Sequence, residues 1–249
     1  MILKEKTAVV TGASRGIGAA IAQGLASHGA NVVINYKSAK TKAEEVLAAI
    51  EKDGGKAMIF GADVRNRQAV DAMIKAAVNA YGKVDILVNN ANINFPMKPF
   101  MEYEWPEMEA KIMGEMQAMY NCCQAVLPGM TERKSGRIIL ISSTLSRQPG
   151  YGFCAHSAAK SAMDGMAKVM ASELGPMGVT VNVLGPGLVS TDATADLPDE
   201  MRSRIAAMTP LRRVGEPDDL AGPTVFLASD LSGYVTGQYI PVNGGSFVV

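Results

Sequence analysis

Thr11-Gly-Ala-Ser-Arg-Gly-Ile-Gly18 is a glycine-rich segment between two apolar stretches of different periodicity. The run Thr7-Ala-Val-Val-Thr11 before it is short and continuously apolar, which predicts a buried strand, whereas Ile17 to His28 repeats apolar residues at helical spacing. Glycines at these positions suit a sharp turn in which the backbone approaches a phosphate at the N-terminus of a helix. The segment therefore predicts a strand, a turn and a helix that together bind a dinucleotide.

The same alternation of strand and helix continues along the chain. We predict further strands at 31–36, 57–61, 84–89, 136–142, 179–184 and 238–242, and further helices at 42–52, 68–81, 107–131, 155–175 and 218–228. The strands are continuous apolar runs, which indicates burial on both faces, as in a parallel sheet covered by helices. The pattern predicts an α/β fold with a Rossmann-type, doubly wound parallel sheet of about seven strands.

Residues 1–249 are interpreted as a single domain, because neither an internal repeat nor a low-complexity linker interrupts this alternation. The longest irregular stretch runs from about 190 to 213, is rich in Asp, Thr, Pro and Arg, and has a weak helical pattern inside it. Long loops in compact domains tend to be lids or binding segments. This stretch is therefore the candidate substrate lid.

The composition excludes several classes of protein. The chain has 249 residues, 48% of them hydrophobic, and its 24 basic side chains balance 24 acidic ones. This composition is contrary to a disordered tail or a membrane span. A sequence pI near 6.7 gives no electrostatic reason to expect nucleic acid or an anionic membrane as a partner. We therefore expect a small-molecule substrate, no nucleic acid and no membrane.

The cysteines and the N-terminus indicate a reducing compartment. Cys122, Cys123 and Cys154 are an odd number without metal-ligand spacing, and the chain starts without the apolar core of a signal peptide. We expect a cytoplasmic protein with no metal site, in which these thiols are small buried apolar groups without a redox role.

The end of the second predicted strand bears on the choice of cofactor. An acidic residue there would accept hydrogen bonds from the 2′-hydroxyl of an adenosine ribose, but the chain has Asn35-Tyr36-Lys37, with Arg15 in the preceding turn. Lys37 and Arg15 could pair with a 2′-phosphate, which favours NADP(H) over NAD(H). The alternative is that both cations are ordinary solvated surface charges.

Several motifs together resemble those of the short-chain dehydrogenase/reductase family. They are the glycine-rich segment, Ala62-Asp63-Val64, Asn89-Asn90-Ala91, Ile141-Ser142-Ser143, Ser157-Ala-Ala-Lys160 and Gly185-Pro-Gly187, and the match runs from about Lys4 to Gly245. Within the family, Val33-Ile-Asn-Tyr36, Ala62-Asp63-Val64 and Val242-Asn-Gly-Gly245 are similar to the 3-oxoacyl-carrier-protein reductase type. The resemblance implies NADPH-dependent reduction of a ketone or 3-oxoacyl substrate.

The resemblance also implies cofactor-binding roles for residues along the whole chain. They are Gly12, Ser14, Arg15, Gly16, Ile17 and Gly18 around the phosphates, Asp63 and Val64 near the adenine, Asn89 and Ala91 at the central strand, Lys160 on the nicotinamide ribose, and Pro186, Gly187 and Thr191 beside the nicotinamide carboxamide.

The catalytic set that the resemblance implies is altered in this chain. Ser143 and Lys160 match the serine that hydrogen-bonds the substrate carbonyl and the catalytic lysine. The family's proton donor, a tyrosine four residues before the lysine, is replaced by His156, and the assisting asparagine falls at Glu115. Asn92 stands where the usual N-N-A-G ends in glycine. The cofactor-binding half thus matches the family, whereas the proton-transfer half departs from it.

His156 has two interpretations. In a rebuilt catalytic set of Ser143, His156, Lys160 and Glu115, an imidazolium would donate the proton. Burial and the charge of Lys160 favour the neutral ring, whereas a nearby Glu115 would hold His156 protonated or would pair with Lys160. In the other interpretation His156 only fills space, and the chain is a catalytically silent subunit or performs non-redox chemistry. Tyr151 is interpreted as a wall of the substrate loop rather than as the missing phenol.

The expected partners follow from the surface of two helices and one loop. Methionines at helical spacing around 107–131 and 155–175 leave an apolar surface wider than packing on a sheet requires. We therefore expect a homodimer or tetramer, with a mixed oligomer containing a related reductase as the alternative. The basic run Arg133-Lys134, with Arg137 beyond it, could meet an acyl-carrier protein that delivers the substrate, although solvated loop charges are the commoner explanation.

Overall fold

The fold is a parallel sheet with helices on both faces. The structure is a computed structural model that describes residues 1–248. The strands are β1 (Thr7–Val10), β2 (Asn31–Tyr36), β3 (Lys56–Gly61), β4 (Ile86–Asn89), β5 (Gly136–Ile141), β6 (Val179–Pro186) and β7 (Tyr239–Val242). They pair in the order β3-β2-β1-β4-β5-β6-β7, and every pair is parallel. The predicted fold class is confirmed.

Helices connect the strands and form the two outer layers. They are α1 (Gly16–Ser27), α2 (Lys40–Lys52), α3 (Arg67–Tyr81), α4 (Trp105–Glu132), α5 (Cys154–Leu174), α6 (Asp199–Met208) and α7 (Ala221–Ala228). The helix predicted at 218–228 is divided, because Pro217–Leu220 forms a 3-10 turn before α7. The other predicted ends differ from the observed ones by at most two residues. Within residues 1–248, no helix is long and apolar enough to cross a membrane.

Alternate residues of each strand enter two separate apolar layers. In β1, Ala8 and Val10 pack in one layer with Ile21 of α1. Val9 packs on the opposite face, in a layer that includes Met73 of α3. Because successive side chains of a strand point to opposite faces, burial of both faces requires an apolar residue at every position. This explains the continuous apolar runs in the sequence.

The chain crosses to the other side of the sheet after β3. β1 lies between β2 and β4, so the carboxyl ends of β1 and β4 border a crevice. Ligands of open α/β sheets bind at this switch point. The segments that follow β1, β4, β5 and β6 carry most of the predicted site residues, and they all lie at this edge of the sheet.

The stretch predicted as an irregular lid contains a helix. α6 lies inside 190–213, where the sequence has only a weak helical pattern. α6 has no buried residue, and its sequence therefore lacks the apolar stripe from which a surface helix is predicted. The role of the stretch as a lid stays a prediction.

Candidate active site

The glycine-rich turn after β1 has the shape that a phosphate cradle requires. Gly12 and Gly16 have φ angles of +61° and +55°, a conformation that side chains with a Cβ rarely adopt. A Cβ on Gly18 would lie 2.5 Å from both Gly12 O and Asn90 Nδ2. The α1 helix begins at Gly16 without a side-chain cap, so its first N–H groups remain available to an anion. Ser14 and Arg15 lie in this turn, and Ile17 lies in the first turn of α1.

Residues after β4 fix the conformation of this turn. Asn90 Nδ2 donates hydrogen bonds to Thr11 O (2.9 Å) and Gly12 O (3.1 Å). Thr11 Oγ1 accepts hydrogen bonds from the backbone N–H groups of Asn90 and Ala91, both at 2.9 Å. Asn89 is buried and donates to Cys123 Sγ at 3.4 Å. Asn90 was not predicted as a site residue, although it stands between Asn89 and Ala91 in the same motif.

The cations predicted to choose the cofactor are paired with carboxylates. Lys37 Nζ lies 3.1 Å from Asp63 Oδ2, and Arg65 donates to the same oxygen at 2.6 Å. These hydrogen bonds, with that of Arg65 the strongest, hold the pKa of the Asp63 carboxyl well below its usual range. A carboxylate therefore does lie near the end of β2, although the strand itself ends without one, because Asp63, which follows β3, reaches Lys37. Val64 is buried beside Asp63.

Asp192 joins the predicted lid to the other side of the cleft. Its Oδ2 atom lies 3.5 Å from Arg15 Nη1 and 2.7 Å from Lys42 Nζ, and all three side chains are exposed. The preceding Thr191 contacts the glycine-rich turn, since a Cβ on Gly16 would lie 3.3 Å from its methyl carbon. The start of the 190–213 stretch therefore lies next to the glycine-rich turn, and the role of Thr191 beside a cofactor stays a prediction.

Pro186 and Gly187 lie at the end of β6, on the nicotinamide side of the predicted cofactor site. Pro186 is the last residue of the strand, and the Gly187 N–H donates to Val242 O of β7 at 3.1 Å. A Cβ on Gly187 would lie 3.0 Å from the Cβ of Asn243. Both residues thus belong to the same edge of the sheet as the glycine-rich turn.

Ser143 follows β5 and is half-buried. Its Oγ atom accepts a hydrogen bond from the Leu145 N–H at 3.2 Å and thereby caps a 3-10 turn. Its carbonyl oxygen accepts a hydrogen bond from the Tyr239 hydroxyl at 3.0 Å. The hydroxyl hydrogen of Ser143 remains available for a substrate oxygen, because the Oγ atom acts as an acceptor in the cap.

His156 lies in the first turn of α5, inside an aromatic group. Its ring stacks on Phe95, with centroids 5.0 Å apart, and Phe153 lies at 6.2 Å. Its Nδ1 atom is buried and has no hydrogen-bond partner in the described part of the chain. Burial first, and then the charges of Lys160 and Lys111, lower the pKa of His156 to about 3, against the opposing effect of Glu115. The imidazole is therefore neutral at physiological pH.

Glu115 and Lys160 form a buried ion pair. Glu115 Oε2 lies 3.1 Å from Lys160 Nζ, and Lys160 also donates to Ile141 O at 3.0 Å. Burial raises the pKa of Glu115, but the charges of Lys160 and Lys111 outweigh burial and lower it to about 2. Of the two partners that the sequence left open, the structure places Lys160 and not His156 beside this carboxylate. Glu115 therefore does not hold His156 protonated.

Lys111 is a site residue that the sequence analysis missed. It is fully buried, and its Nζ atom donates to Glu115 Oε1 (2.6 Å), Asn92 Oδ1 (2.8 Å) and Ile93 O (2.7 Å). Glu115 also accepts a hydrogen bond from the Ile93 N–H. Two departures from the family pattern, Asn92 and Glu115, are thus joined through one ammonium group.

The cysteine thiols take no part in the ion cluster of Lys111, Glu115 and Lys160. Cys122 and Cys123 are buried in α4, and Cys154 is partly exposed at the start of α5. Burial raises the pKa of both α4 thiols, that of Cys123 to about 12, so they are poor nucleophiles. Among residues 1–248, no group of His, Cys, Asp and Glu side chains could hold a metal ion.

A neutral buried histidine makes the protein less stable in acid. The unfolded chain binds a proton at His156 below pH 6.5, whereas the folded chain does so only near its lowered pKa, so the free energy of unfolding falls as the pH falls through this interval. Between pH 7 and pH 5, we expect His156 to cost about 2 kcal/mol. Urea unfolding of the wild type and His156→Phe at both values measures the difference. If His156→Phe lost as much unfolding free energy between pH 7 and pH 5 as the wild type, the loss could not come from His156. His28→Phe, which changes an exposed histidine, should lose as much as the wild type.

One family model and several known proteins match nearly the whole chain. The family model described as enoyl-(acyl carrier protein) reductase matches residues 12–246. A 3-oxoacyl-(acyl-carrier-protein) reductase of Staphylococcus epidermidis is 40% identical over 246 residues, which cover 98% of this chain and 99% of that protein. One of the same description from Synechocystis is 40% identical over 244 residues, with 98% and 97% covered.

Solved structures share the fold of nearly the whole chain. A dehydrogenase/reductase from Sinorhizobium meliloti superposes with a TM-score of 0.92 at 36% identity and covers 99% of this chain and 96% of its own. A 3-oxoacyl (acyl-carrier-protein) reductase from Agrobacterium tumefaciens, with NADP bound, has a TM-score of 0.90 at 32% identity, with 98% and 95% covered. The sequence comparisons and the structure comparisons thus each match nearly the whole chain.

Proposed function

This chain belongs to the short-chain dehydrogenase/reductase family of oxidoreductases, and from that premise we propose that it reduces a ketone or 3-oxoacyl substrate with NADPH. The observation that carries the proposal is the arrangement of one sheet edge, where the glycine-rich turn, Ser143, His156 and Lys160 all lie. The names of the relatives, which include acyl-carrier-protein reductases, support a carrier-bound 3-oxoacyl group as a substrate class. A homodimer or tetramer stays our expectation.

The residues present fit a dinucleotide. Gly12, Gly16 and Gly18 allow a tight turn in which a Cβ would meet neighbouring protein atoms at 2.5–3.3 Å, and the uncapped N-terminus of α1 suits a pyrophosphate. When bound, the nicotinamide would supply a hydride to the carbonyl carbon, so that the carbonyl oxygen must take up one proton. Lys160, which is held by Glu115 and Ile141 O, keeps one N–H for a ribose hydroxyl.

Proton delivery is the altered half of this reaction. We assign to Ser143 a hydrogen bond from its hydroxyl to the substrate oxygen, and to His156 a second one from its neutral imidazole N–H. A neutral imidazole can stabilise developing charge on a carbonyl oxygen without becoming an imidazolium. The proton that completes the alcohol then comes from water, because the lowered pKa of His156 leaves few imidazolium ions to supply it.

Kinetics of histidine variants test the proposed activity. We expect the wild type to oxidise NADPH in the presence of 3-oxoacyl thioesters or ketones, and His156→Phe to lower kcat at least tenfold, because a hydrogen bond to a developing charge is lost. His28→Phe, at an exposed histidine, is the control and should leave kcat unchanged. Ser143→Ala should lower kcat in the same way as His156→Phe. Equal turnover in wild type and His156→Phe would contradict the role given to the imidazole.

A silent partner subunit is a second candidate function. Two observations favour it: the lowered pKa leaves His156 without the second proton that an imidazolium acid would deliver, and Lys160 is already engaged by Glu115. This function predicts a wild type that binds NADPH without turnover, and a His156→Tyr variant that gains turnover. The same absorbance assay therefore separates the two functions.

The preference for NADPH depends on cations at the cleft. We expect Arg15→Ala and Lys37→Ala each to raise the dissociation constant of NADPH about tenfold and to leave that of NADH nearly unchanged, because only NADPH carries a 2′-phosphate for a charge-assisted hydrogen bond. Fluorescence titration measures both constants. Lys40→Ala, which removes an exposed lysine paired with Glu44, is the control. Equal losses for both cofactors would show that these cations do not choose between them.

A further inference from the structure

Lys111 is a charged side chain enclosed by the protein. Its relative exposure is 0%, and three acceptors, Asn92 Oδ1, Ile93 O and Glu115 Oε1, surround its ammonium nitrogen at 2.6–2.8 Å. An ammonium group has three hydrogens, so every one has an acceptor. This geometry fixes the nitrogen and leaves no hydrogen for a substrate. Lys111 thus cannot be the proton donor of the site.

The contacts of Lys111 extend toward both flanks of the site. On one side, its partner Glu115 holds Lys160 Nζ at 3.1 Å. On the other side, its ammonium nitrogen lies 4.8 Å from the ring centroid of Phe95, within the distance of a cation–π interaction. Phe95 in turn stacks on His156 at 5.0 Å. Lys111 therefore contacts both Glu115, which binds Lys160, and Phe95, which stacks on His156.

We propose that Lys111 is the positioning residue of this site, which fixes Lys160 through Glu115 and the imidazole of His156 through Phe95. It also anchors the segment after β4, because Asn92 and Ile93 accept two of its hydrogen bonds. The proposal rests on the proposed reductase for its kinetic consequences only. Its structural consequences hold for a silent subunit as well.

Lys111 also sets the charge around the imidazole. The charged groups that face His156 are Lys111 and Glu115 from α4 and Lys160 from α5. Two ammonium groups and one carboxylate leave an excess of one positive charge, which disfavours an imidazolium. Without Lys111, Glu115 and Lys160 would form a neutral pair. Removal of Lys111 should therefore make His156 easier to protonate.

NMR titration of the full-length protein tests this proposal. The chain has two histidines, so the imidazole Cε1–H resonances can be assigned with His156→Phe, and exposed His28 is an internal reference. We expect Lys111→Met to raise the titration midpoint of His156 by at least one pH unit and to leave that of His28 unchanged. Lys168→Met removes an exposed lysine of α5 and is the matched control. An unchanged midpoint of His156 in folded Lys111→Met would overturn the proposal.

Kinetics and a second variant complete the test. Lys111→Met should lower kcat about tenfold and change the KM for NADPH less than threefold, since the glycine-rich turn is not touched. If Lys111→Met does not fold, Phe95→Leu removes the ring that lies between Lys111 and His156 and keeps the ion cluster. It should shift the His156 midpoint by at least half a pH unit, and an unchanged midpoint would overturn the proposal. If the wild type has no turnover, the proposed activity fails and the midpoints still decide the role of Lys111.

Discussion

Gly18→Ala is expected to weaken the binding of NADPH at least 100-fold. The added Cβ would lie 2.5 Å from Gly12 O and 2.9 Å from Ala13 Cα, and both neighbours are backbone atoms that cannot move without a change in the turn. Asn90 Nδ2, also at 2.5 Å, would lose its hydrogen bonds to the same turn. A loss of 100-fold corresponds to about 2.7 kcal/mol of binding free energy. Fluorescence titration with NADPH measures it.

The control for this variant is a glycine in an open helix position. Gly222 lies in α7, and a Cβ added there meets no atom within 4 Å. Gly222→Ala should bind NADPH like the wild type and should melt at the same temperature or slightly higher, because alanine favours a helix. Binding of NADPH to Gly18→Ala within threefold of the wild type would show that the dinucleotide does not lie on this turn.

Glu115→Gln should lower the free energy of unfolding at pH 7 by about 3–5 kcal/mol, the usual cost of removing one partner from a buried ion pair. Glu115 is 1% exposed and lies between Lys111 and Lys160. Glutamine keeps the size of the side chain but leaves two ammonium groups facing each other without a negative charge. Chemical denaturation measures the loss.

Two comparisons separate this electrostatic cost from other effects. Glu44→Gln breaks an exposed pair with Lys40 and should change the free energy of unfolding by about 0.5 kcal/mol or less. The double variant Lys111→Met/Glu115→Gln retains one buried cation instead of two, so its loss should be smaller than the sum of the single losses. A loss below 1 kcal/mol in Glu115→Gln would mean that water reaches the three side chains.

The fold could be predicted because its signals are local. Each strand is a continuous apolar run, and the glycines of the first turn require special backbone angles, so both patterns are readable from neighbouring residues. The helix α6 gives only a weak helical pattern in the sequence, because no residue of it is buried and its apolar period is therefore faint. Contacts between distant segments are equally hidden: Arg15 and Asp192 are 177 residues apart, and nothing in either local sequence indicates the pair.

The candidate site was predictable only as far as motif spacing reaches. Counting along the chain shows that His156 and Glu115 stand where the family pattern has a tyrosine and an asparagine. Lys111 stands four residues before Glu115, and a lysine and a glutamate at this spacing on a helix are usually an exposed ion pair. Only the burial of both side chains distinguishes this pair from a surface one. The contact between Lys111 and Asn92 further indicates that the changes at 92 and 115 belong together.

The neighbouring thiols inside α4 give the molecule its own probe of opening. Cys122 and Cys123 are buried against the sheet, so an alkylating reagent can modify them only in molecules where this helix has separated from the strands. Cys154, which is partly exposed, would react directly and would calibrate the reagent. The rate at which Cys122 and Cys123 are alkylated would then report how often α4, the helix that carries Lys111 and Glu115, separates from the sheet. No dye needs to be attached for this measurement.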